Sequence, residues 1–197
     1  MLEIKKLQKA FGRHLVFNYF NFSFPDHGLF FLVGENGCGK STLIYIISGL
    51  DEDYKGDVVF NNRNLRTLSK KEKNSLRRKD IGLLFSRGNL LSFLNADENR
   101  LFDLHSDSLN FIDLPPKSST FGLSGGEELL LALSNELAKN KKIYLLDEVT
   151  SNLDSTHLKK IMSILNRQSD RSLIIMATHD NRIINCSQAT IVQIKKI

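Results

Sequence analysis

The sequence predicts an α/β fold: a parallel β-sheet faced by helices, preceded by a segment made of strands. Three observations carry this prediction. From Leu29 onward, short apolar runs of strand length alternate with helical stretches, the order in which crossover helices connect parallel strands. Before Leu29 the period is different: Phe20, Phe22 and Phe24 alternate with Asn21 and Ser23, the spacing of a half-buried strand. The composition is that of a soluble globular chain, with 41% hydrophobic and 25% charged residues, which excludes collagen-like, mucin-like and wholly disordered readings. A length of 197 residues makes one domain with room for at most an inserted subdomain. At that size roughly 70% of the unfolded chain's surface can be buried, so neither disulfides nor a structural metal is needed. Two cysteines, Cys38 and Cys186, are too few for a disulfide scaffold.

In chain order, the N-terminal third reads as strands, Pro25-Asp26-His27-Gly28 as a turn, and Leu29 to Val33 as a central strand. A glycine-rich loop follows, then a helix from Ser41 to Leu50 closed by Gly49, and Asp57 to Phe60 is a further strand. Between Arg63 and Asp80 eight basic residues stand against two acidic ones, a local net of +6 in a chain whose total is +5. This segment is either a solvated helix face or a docking surface for nucleic acid or an anionic membrane. It lacks the interleaved aromatics that single-strand binding favours, so nucleic acid is not the expected partner. Ile81 to Phe85 is apolar again, with Gly82 inside it. The stretch from Asn89 to Thr120 is the least regular, with short polar helical pieces and Pro115-Pro116.

From Ser124 the pattern sharpens into a helix to about Lys139, a strand Ile143 to Leu146, a helix from about Ser155 to Asn166, and a strand Leu173 to Ala177. The expected organisation is one domain over residues 1–197. In it, residues 1–88 and 140–197 make the β-subdomain and the sheet core, and residues 89–139 make a short inserted helical subdomain. The start, Met1-Leu2-Glu3-Ile4-Lys5-Lys6, has no apolar region of a secretory signal. No stretch approaches the roughly 20 apolar residues that span a bilayer. A cytoplasmic chain with only a peripheral membrane role is expected.

Gly34-Glu35-Asn36-Gly37-Cys38-Gly39-Lys40-Ser41-Thr42 fits the P-loop pattern G-x-x-x-x-G-K-[ST], between an apolar strand and a helix. The glycines let backbone N–H groups turn toward phosphate oxygens, Lys40 reaches the β- and γ-phosphates, and the Ser41 hydroxyl suits Mg²⁺. A tight glycine turn without a ligand is the alternative. Ile143-Tyr144-Leu145-Leu146-Asp147-Glu148 ends an apolar strand in two carboxylates. Asp147 is suited to hold Mg²⁺ through a water and Glu148 to polarise an attacking water; an acidic strand end without chemistry is the alternative. In Leu123-Ser124-Gly125-Gly126-Glu127, Ser124 and Glu127 form a capping box that opens a helix. Capping leaves the glycine pair unexplained, because Gly costs about 1 kcal/mol in a helix; close approach of an anionic ligand to the helix N-terminus explains it.

The order of these motifs resembles the ATP-binding cassette (ABC) ATPases: Gly34 to Thr42 as Walker A, Leu123 to Glu127 as signature, Asp147-Glu148 as Walker B, Ser151-Asn152-Leu153-Asp154 as D-loop, and His179 as switch histidine. The likeness spans nearly the whole chain. The run Leu68-Ser69-Lys70 to Leu76-Arg77-Arg78, then Ile81 to Phe85 and Asn89-Leu90-Leu91, is further similar to the subgroup of lipoprotein-release, macrolide-export, cell-division and peptide-antibiotic-export ATPases. The resemblance implies a P-loop NTPase (RecA-like) core with an N-terminal antiparallel β-subdomain and an inserted helical subdomain. It also implies ATP and Mg²⁺ as cofactors and hydrolysis that drives transport. The partners it implies are a second copy of the chain, in a head-to-tail dimer where Ser124 to Glu127 of one copy close on ATP held by the other, and a permease on a separate chain at the inner face of the membrane. Phe11 then stacks on adenine, Asp154 belongs to the D-loop, and Glu148 and His179 serve catalysis. For Phe11 a core position, and for His179 a strand-end role, are the alternatives. A soluble ABC ATPase acting on nucleic acid or in assembly is the second functional reading, with residues 63–79 as its docking face.

The sequence departs from the family pattern in several places. Ser86 stands where the subgroup places a metal-ligating glutamine, so its side chain needs an intervening water to reach Mg²⁺, and slower hydrolysis is expected. Val149 replaces a usual proline, Asn152 a small residue, and Glu128-Leu129-Leu130 the usual glutamines and arginine. Only 37 residues separate Ser86 from Ser124, which makes the helical subdomain short. Cys38 lies beside phosphate-binding amides, an electropositive setting of the kind that lowers thiol pKa values. Either ATP protects it from alkylation or it is merely a small loop residue.

Overall fold

The computed structural model describes residues 1–85, 89–90, 98, 122–150, 153–184 and 188–197. The N-terminal strands form a four-stranded antiparallel sheet in the order β2-β1-β4-β5: β1 (Leu2–Phe11), β2 (His14–Phe24), β4 (Lys55–Phe60) and β5 (Arg63–Asn64). The inward residues of β1 change parity along the strand, Leu2 and Ile4 first, then Leu7 and Lys9. A bulge causes the change: the register shifts with β2 between Ile4 and Leu7 and with β4 between Lys5 and Gln8, and Lys6 sits at φ 50. One extra residue reverses which face each later side chain takes, and this sets where Lys9 and Phe11 point.

The second sheet is parallel throughout, in the order β6-β7-β8-β3-β9: β6 (Ile81–Phe85), β7 (Ile143–Asp147), β8 (Leu173–Ala177), β3 (Gly28–Val33) and β9 (Thr190–Gln193). Both faces of its middle strands are covered, and period two sorts their residues between two cores. Phe30, Leu32, Ile143, Leu145, Leu173 and Ile175 meet helix α1 (Lys40–Ile47) and the antiparallel sheet. Phe31, Tyr144, Leu146, Ile174 and Met176 meet α3 (Gly125–Ala138) and α4 (Ser155–Ser169) on the other side. Leu129 and Leu130, which depart from the family pattern at the start of α3, are thus core, buried together with Leu131, Ala132 and Leu133. Of the expected helical subdomain, residues 91–97 and 99–121 lie outside the described residues.

Helix α1 stops at Ile47, three residues short of the expected Leu50. Gly49 at φ 67 reverses the chain, with Gly49 N–H donating to Ile46 O and Leu50 N–H to Tyr45 O, the pairing of a Schellman cap. The basic segment runs from β5 into the helix α2 (Lys70–Lys79), which a Ser69/Glu72 capping box opens. Its charges divide. Lys73 pairs with Glu52 at 3.0 Å, Arg77 donates to the Ser48 and Gly49 carbonyls, and Arg63 meets Glu72 at 3.0 Å. Arg66, Lys70, Lys71, Arg78 and Lys79 face solvent. A short helix, α5 (Asn181–Ile184), follows β8. No helix among the described residues is long and apolar enough to cross a membrane.

Candidate active site

Because β3, β7 and β8 run parallel, their C-terminal ends open on one edge of the sheet, the place where open α/β folds hold ligands. At the end of β3 the chain turns through Gly34 to Gly39 into α1. Gly39 is the N-cap at φ 105, and a Cβ there would lie 2.4 Å from Val16 Cγ1, so no other residue fits. No side chain caps α1, which leaves the loop and first-turn amides directed at whatever occupies the mouth of the loop. Lys40 Nζ donates to the carbonyls of Gly34 and Glu35 at 2.9 and 3.1 Å, holding its ammonium over the loop. Cys38 corrects an expectation: its backbone belongs to the loop, but the side chain is 2% exposed within the core under α1. Its burial screens the thiol from alkylating reagents.

Strand parity places the acid. Asp147 has the parity of Ile143 and Leu145, so it faces α1, and it meets two hydroxyls one helical turn apart. Ser41 Oγ donates to Asp147 Oδ1 at 2.8 Å and Tyr45 Oη to Asp147 Oδ2 at 3.2 Å. Burial, followed by the charge of Asp147, holds the Tyr45 hydroxyl above its ordinary pKa. Glu148 leaves the strand at φ 50, a region few non-glycine residues occupy, with its N–H bonded to Ala177 O at 3.0 Å. That turn swings its carboxylate away from the sheet, where Oε1 lies 3.3 Å from His179 Nδ1. Strain of this kind gathers at functional sites.

Phe11 is 55% exposed, so the alternative core position is corrected. One face of its ring carries the Lys9 ammonium, 4.6 Å from the centroid. Lys9 is itself buried and held by Asp51 at 2.9 Å and by the Asp53 carbonyl at 2.6 Å. A cavity of about 370 Å³ joins Phe11 and His14 to Asn36, Lys40, Thr42 and Glu148. A larger cavity, about 550 Å³, lies between α4 and α5 around Leu158, Met162 and Ile183. Its lining has no phosphate-binding loop, whereas amides, a lysine and an acid converge on the smaller one.

The second helix start behaves as a capping box: Ser124 N–H and Oγ–H donate to Glu127 Oε2 at 2.8 and 2.7 Å, and Glu127 N–H donates back to Ser124 Oγ at 3.4 Å. These bonds hold the Glu127 carboxyl below the usual carboxylate range. The glycine pair divides. A Cβ on Gly125 would meet nothing within 4 Å, but one on Gly126 would lie 2.5 Å from the His157 ring. Packing against α4 explains Gly126, whereas no contact within the described residues accounts for Gly125. Asp154, expected in the D-loop, is the N-cap of α4. It accepts from Thr156 and His157 N–H at 2.8 and 3.0 Å, and also bonds His157 Nδ1. Ser86, Ser151, Asn152 and Cys186 lie outside the described residues.

No group of three or more His, Cys, Asp or Glu side chains gathers into a metal cage among the described residues. The oxygen pair Ser41 and Asp147 instead suits Mg²⁺, which binds few protein oxygens and relies on phosphates and waters. Sequence reasoning overlooked Tyr45, Lys9 and His157, and named Asn89 for its likeness to the subgroup without foreseeing its bonds. Asn89 bonds both the N–H and the C=O of Phe85 at the end of edge strand β6. Spacing carried a signal for two of them: Tyr45 is four residues from Ser41 on a helix, and Lys9 two from Phe11 on a strand.

A family model described as ABC transporter matches residues 17–151. An uncharacterized ABC transporter ATP-binding protein of Methanocaldococcus jannaschii is 30% identical, over 93% of this chain and 91% of its own. The cell division ATP-binding protein FtsE of Bacillus subtilis is 29% identical, over 99% of this chain and 92% of its own. Among solved structures, a dimeric ATP-binding cassette in a post-hydrolysis state bound to ADP and Pi matches with a TM-score of 0.84 at 26% identity, covering 100% of this chain and 96% of that one.

Proposed function

The chain belongs to the ABC transporter family of ATP-binding proteins, and from that premise we propose that it is the ATP-hydrolysing subunit of a membrane transporter, closing on ATP as a head-to-tail homodimer. The observation that carries the reading is the convergence, at one edge of the parallel sheet, of the Lys40 loop, the Ser41–Asp147 contact of 2.8 Å and the Glu148–His179 contact of 3.3 Å. The similar cassette was solved as a dimer, and the likeness to a cell division ATP-binding protein supports the subgroup assigned on residues 68–91. The transmembrane permease sits on a separate chain, and the subunit works on the inner membrane face.

In this reading the Phe11 ring takes adenine on its open face, opposite Lys9. The loop amides and Lys40 hold the β- and γ-phosphates and neutralise charge that grows on the oxygens during transfer. The Ser41 hydroxyl, and Asp147 through a water, would hold Mg²⁺, which would supply neutralisation of the phosphate charge. Glu148, turned out of the strand, accepts the proton of the attacking water. His179 fixes the orientation of that carboxylate and faces the γ-phosphate. Ser124 of the second copy closes the far side of the γ-phosphate: its O–H turns its hydrogen bond from the Glu127 carboxylate to a phosphate oxygen as the dimer forms, while Gly125 leaves room for the approach. Asp154 lies beside the dimer seam with the D-loop.

Glu148→Gln tests the chemistry. Steady-state ATP hydrolysis is expected to fall by about 100-fold or more, the range of a lost general base, with ATP affinity retained. Hydrolysis within a few fold of the parent chain overturns the assignment of Glu148.

A further inference from the structure

We propose that Tyr45 is a positioning residue of the metal site: its hydroxyl holds the second oxygen of Asp147 so that the first stays aimed at Ser41 and at the metal-bound water. The inference rests on the reading of Asp147 as a water-mediated Mg²⁺ partner. Its geometry comes from the register of two elements. Ser41 and Tyr45 stand one turn apart on α1, and the parity of β7 turns Asp147 toward them. Each carboxylate oxygen therefore receives its own donor, Oδ1 from Ser41 and Oδ2 from Tyr45. Ser41 would ligate a metal through an oxygen lone pair and keep its O–H for Oδ1. The bond from Tyr45 to Oδ2 is the second described hydrogen bond, and two donors on two oxygens fix the carboxylate plane where one leaves it free to turn. Hydrogen bonds behind a metal's partners commonly set their orientation and basicity.

The tyrosine ring is itself held. It is half-buried on α1, and its centroid lies 6.1 Å from that of Phe85, the last residue of β6. Phe85 faces Asp147 across the β6–β7 pairing, and its backbone is pinned by the Asn89 amide. The ring thus fixes where the hydroxyl can reach, and it ties the acid at the end of β7 to the end of the neighbouring strand. A phenylalanine would keep the packing and remove the bond.

The test uses Mn²⁺ as the probe, counted as free ion by electron paramagnetic resonance, on the ATP complex of the parent chain, Tyr45→Phe and Asp147→Asn. The expected result is a loss of Mn²⁺ affinity in Tyr45→Phe of about tenfold. ATP binding in chelator and the thermal midpoint should be unchanged, and the Mg²⁺ concentration for half-maximal hydrolysis should rise while kcat at saturating Mg²⁺ stays within about twofold. Asp147→Asn should lose more than Tyr45→Phe. If Asp147→Asn weakens Mn²⁺ binding and Tyr45→Phe does not, the Tyr45 inference is wrong and the reading of Asp147 survives. If neither weakens it, the reading of Asp147 fails and the Tyr45 inference fails with it. A lowered thermal midpoint with unchanged Mn²⁺ affinity makes the hydroxyl a structural group and also overturns the proposal.

Discussion

Phe11 stands 55% exposed at the mouth of the site with a buried ammonium on its back. A cation against one face of an aromatic ring contributes about 0.5–1 kcal/mol at exposed sites, more when desolvated. It also leaves the opposite face as the only one a base can use. Lys9→Met keeps the stem and removes the charge. ATP affinity should fall about twofold to fivefold in fluorescence titration, while inorganic tripolyphosphate, which has no base, should bind as before. An equal loss for both ligands would place the effect in the fold. Asp154 makes a second prediction at this scale. Bonds from the His157 backbone N–H and ring, then from Thr156 N–H, hold its carboxyl down at about 2, against an ordinary 3.8. A depressed carboxyl binds more protons unfolded than folded, so the charged cap stabilises the fold in full above about pH 4 and is lost as the pH falls toward 2. A carbon-detected NMR titration should place the Asp154 midpoint near 2; a midpoint near 3.8 contradicts the cap geometry.

Among the elements, the start of α3 separates structure from function at two adjacent glycines. Gly126→Ala drives a methyl group into the His157 ring, at 2.5 Å before relaxation, and overpacking of that kind typically costs about 1–3 kcal/mol. Gly125→Ala meets open space and should leave the thermal midpoint within about a degree, yet weaken ATP-dependent dimerisation. Differential scanning fluorimetry with light scattering reads both; equal destabilisation by the two substitutions would contradict the division. Much of this level was legible in the sequence. Leu173 to Ala177 carries its strand signal in its own composition, and Ser124 with Glu127 announces a helix start. The parity change in β1 was not legible, because a bulge depends on how two strands pair and not on the residues of one. Nor was the role of Gly126, whose neighbour His157 is 31 residues away and reaches it only once α3 and α4 pack. Cys38 misled for a related reason: the motif describes where the backbone goes, while the direction of that side chain is decided by the core beneath α1. Glu148 was recognised as an acid but not as a residue at positive φ, which arises from its bond to Ala177 on β8.

For the whole molecule, the two sheets share one core through α1, and α1 carries the Lys40, Ser41 and Tyr45 side chains of the site. In the proposed reading, nucleotide binding is thereby tied to the antiparallel sheet through Phe11 and to the parallel sheet through Asp147. Part of the basic segment serves this architecture, since Lys73 and Arg77 bind the loop after α1. The central claim is that one chain supplies half of a pocket completed by another. Sedimentation of the Glu148→Gln variant with saturating ATP and Mg²⁺ tests it most directly. A dimer that forms with ATP, reverts to monomer with ADP, and is lost in Gly125→Ala is the predicted result. A monomer with ATP fully bound, or a dimer indifferent to nucleotide, contradicts it.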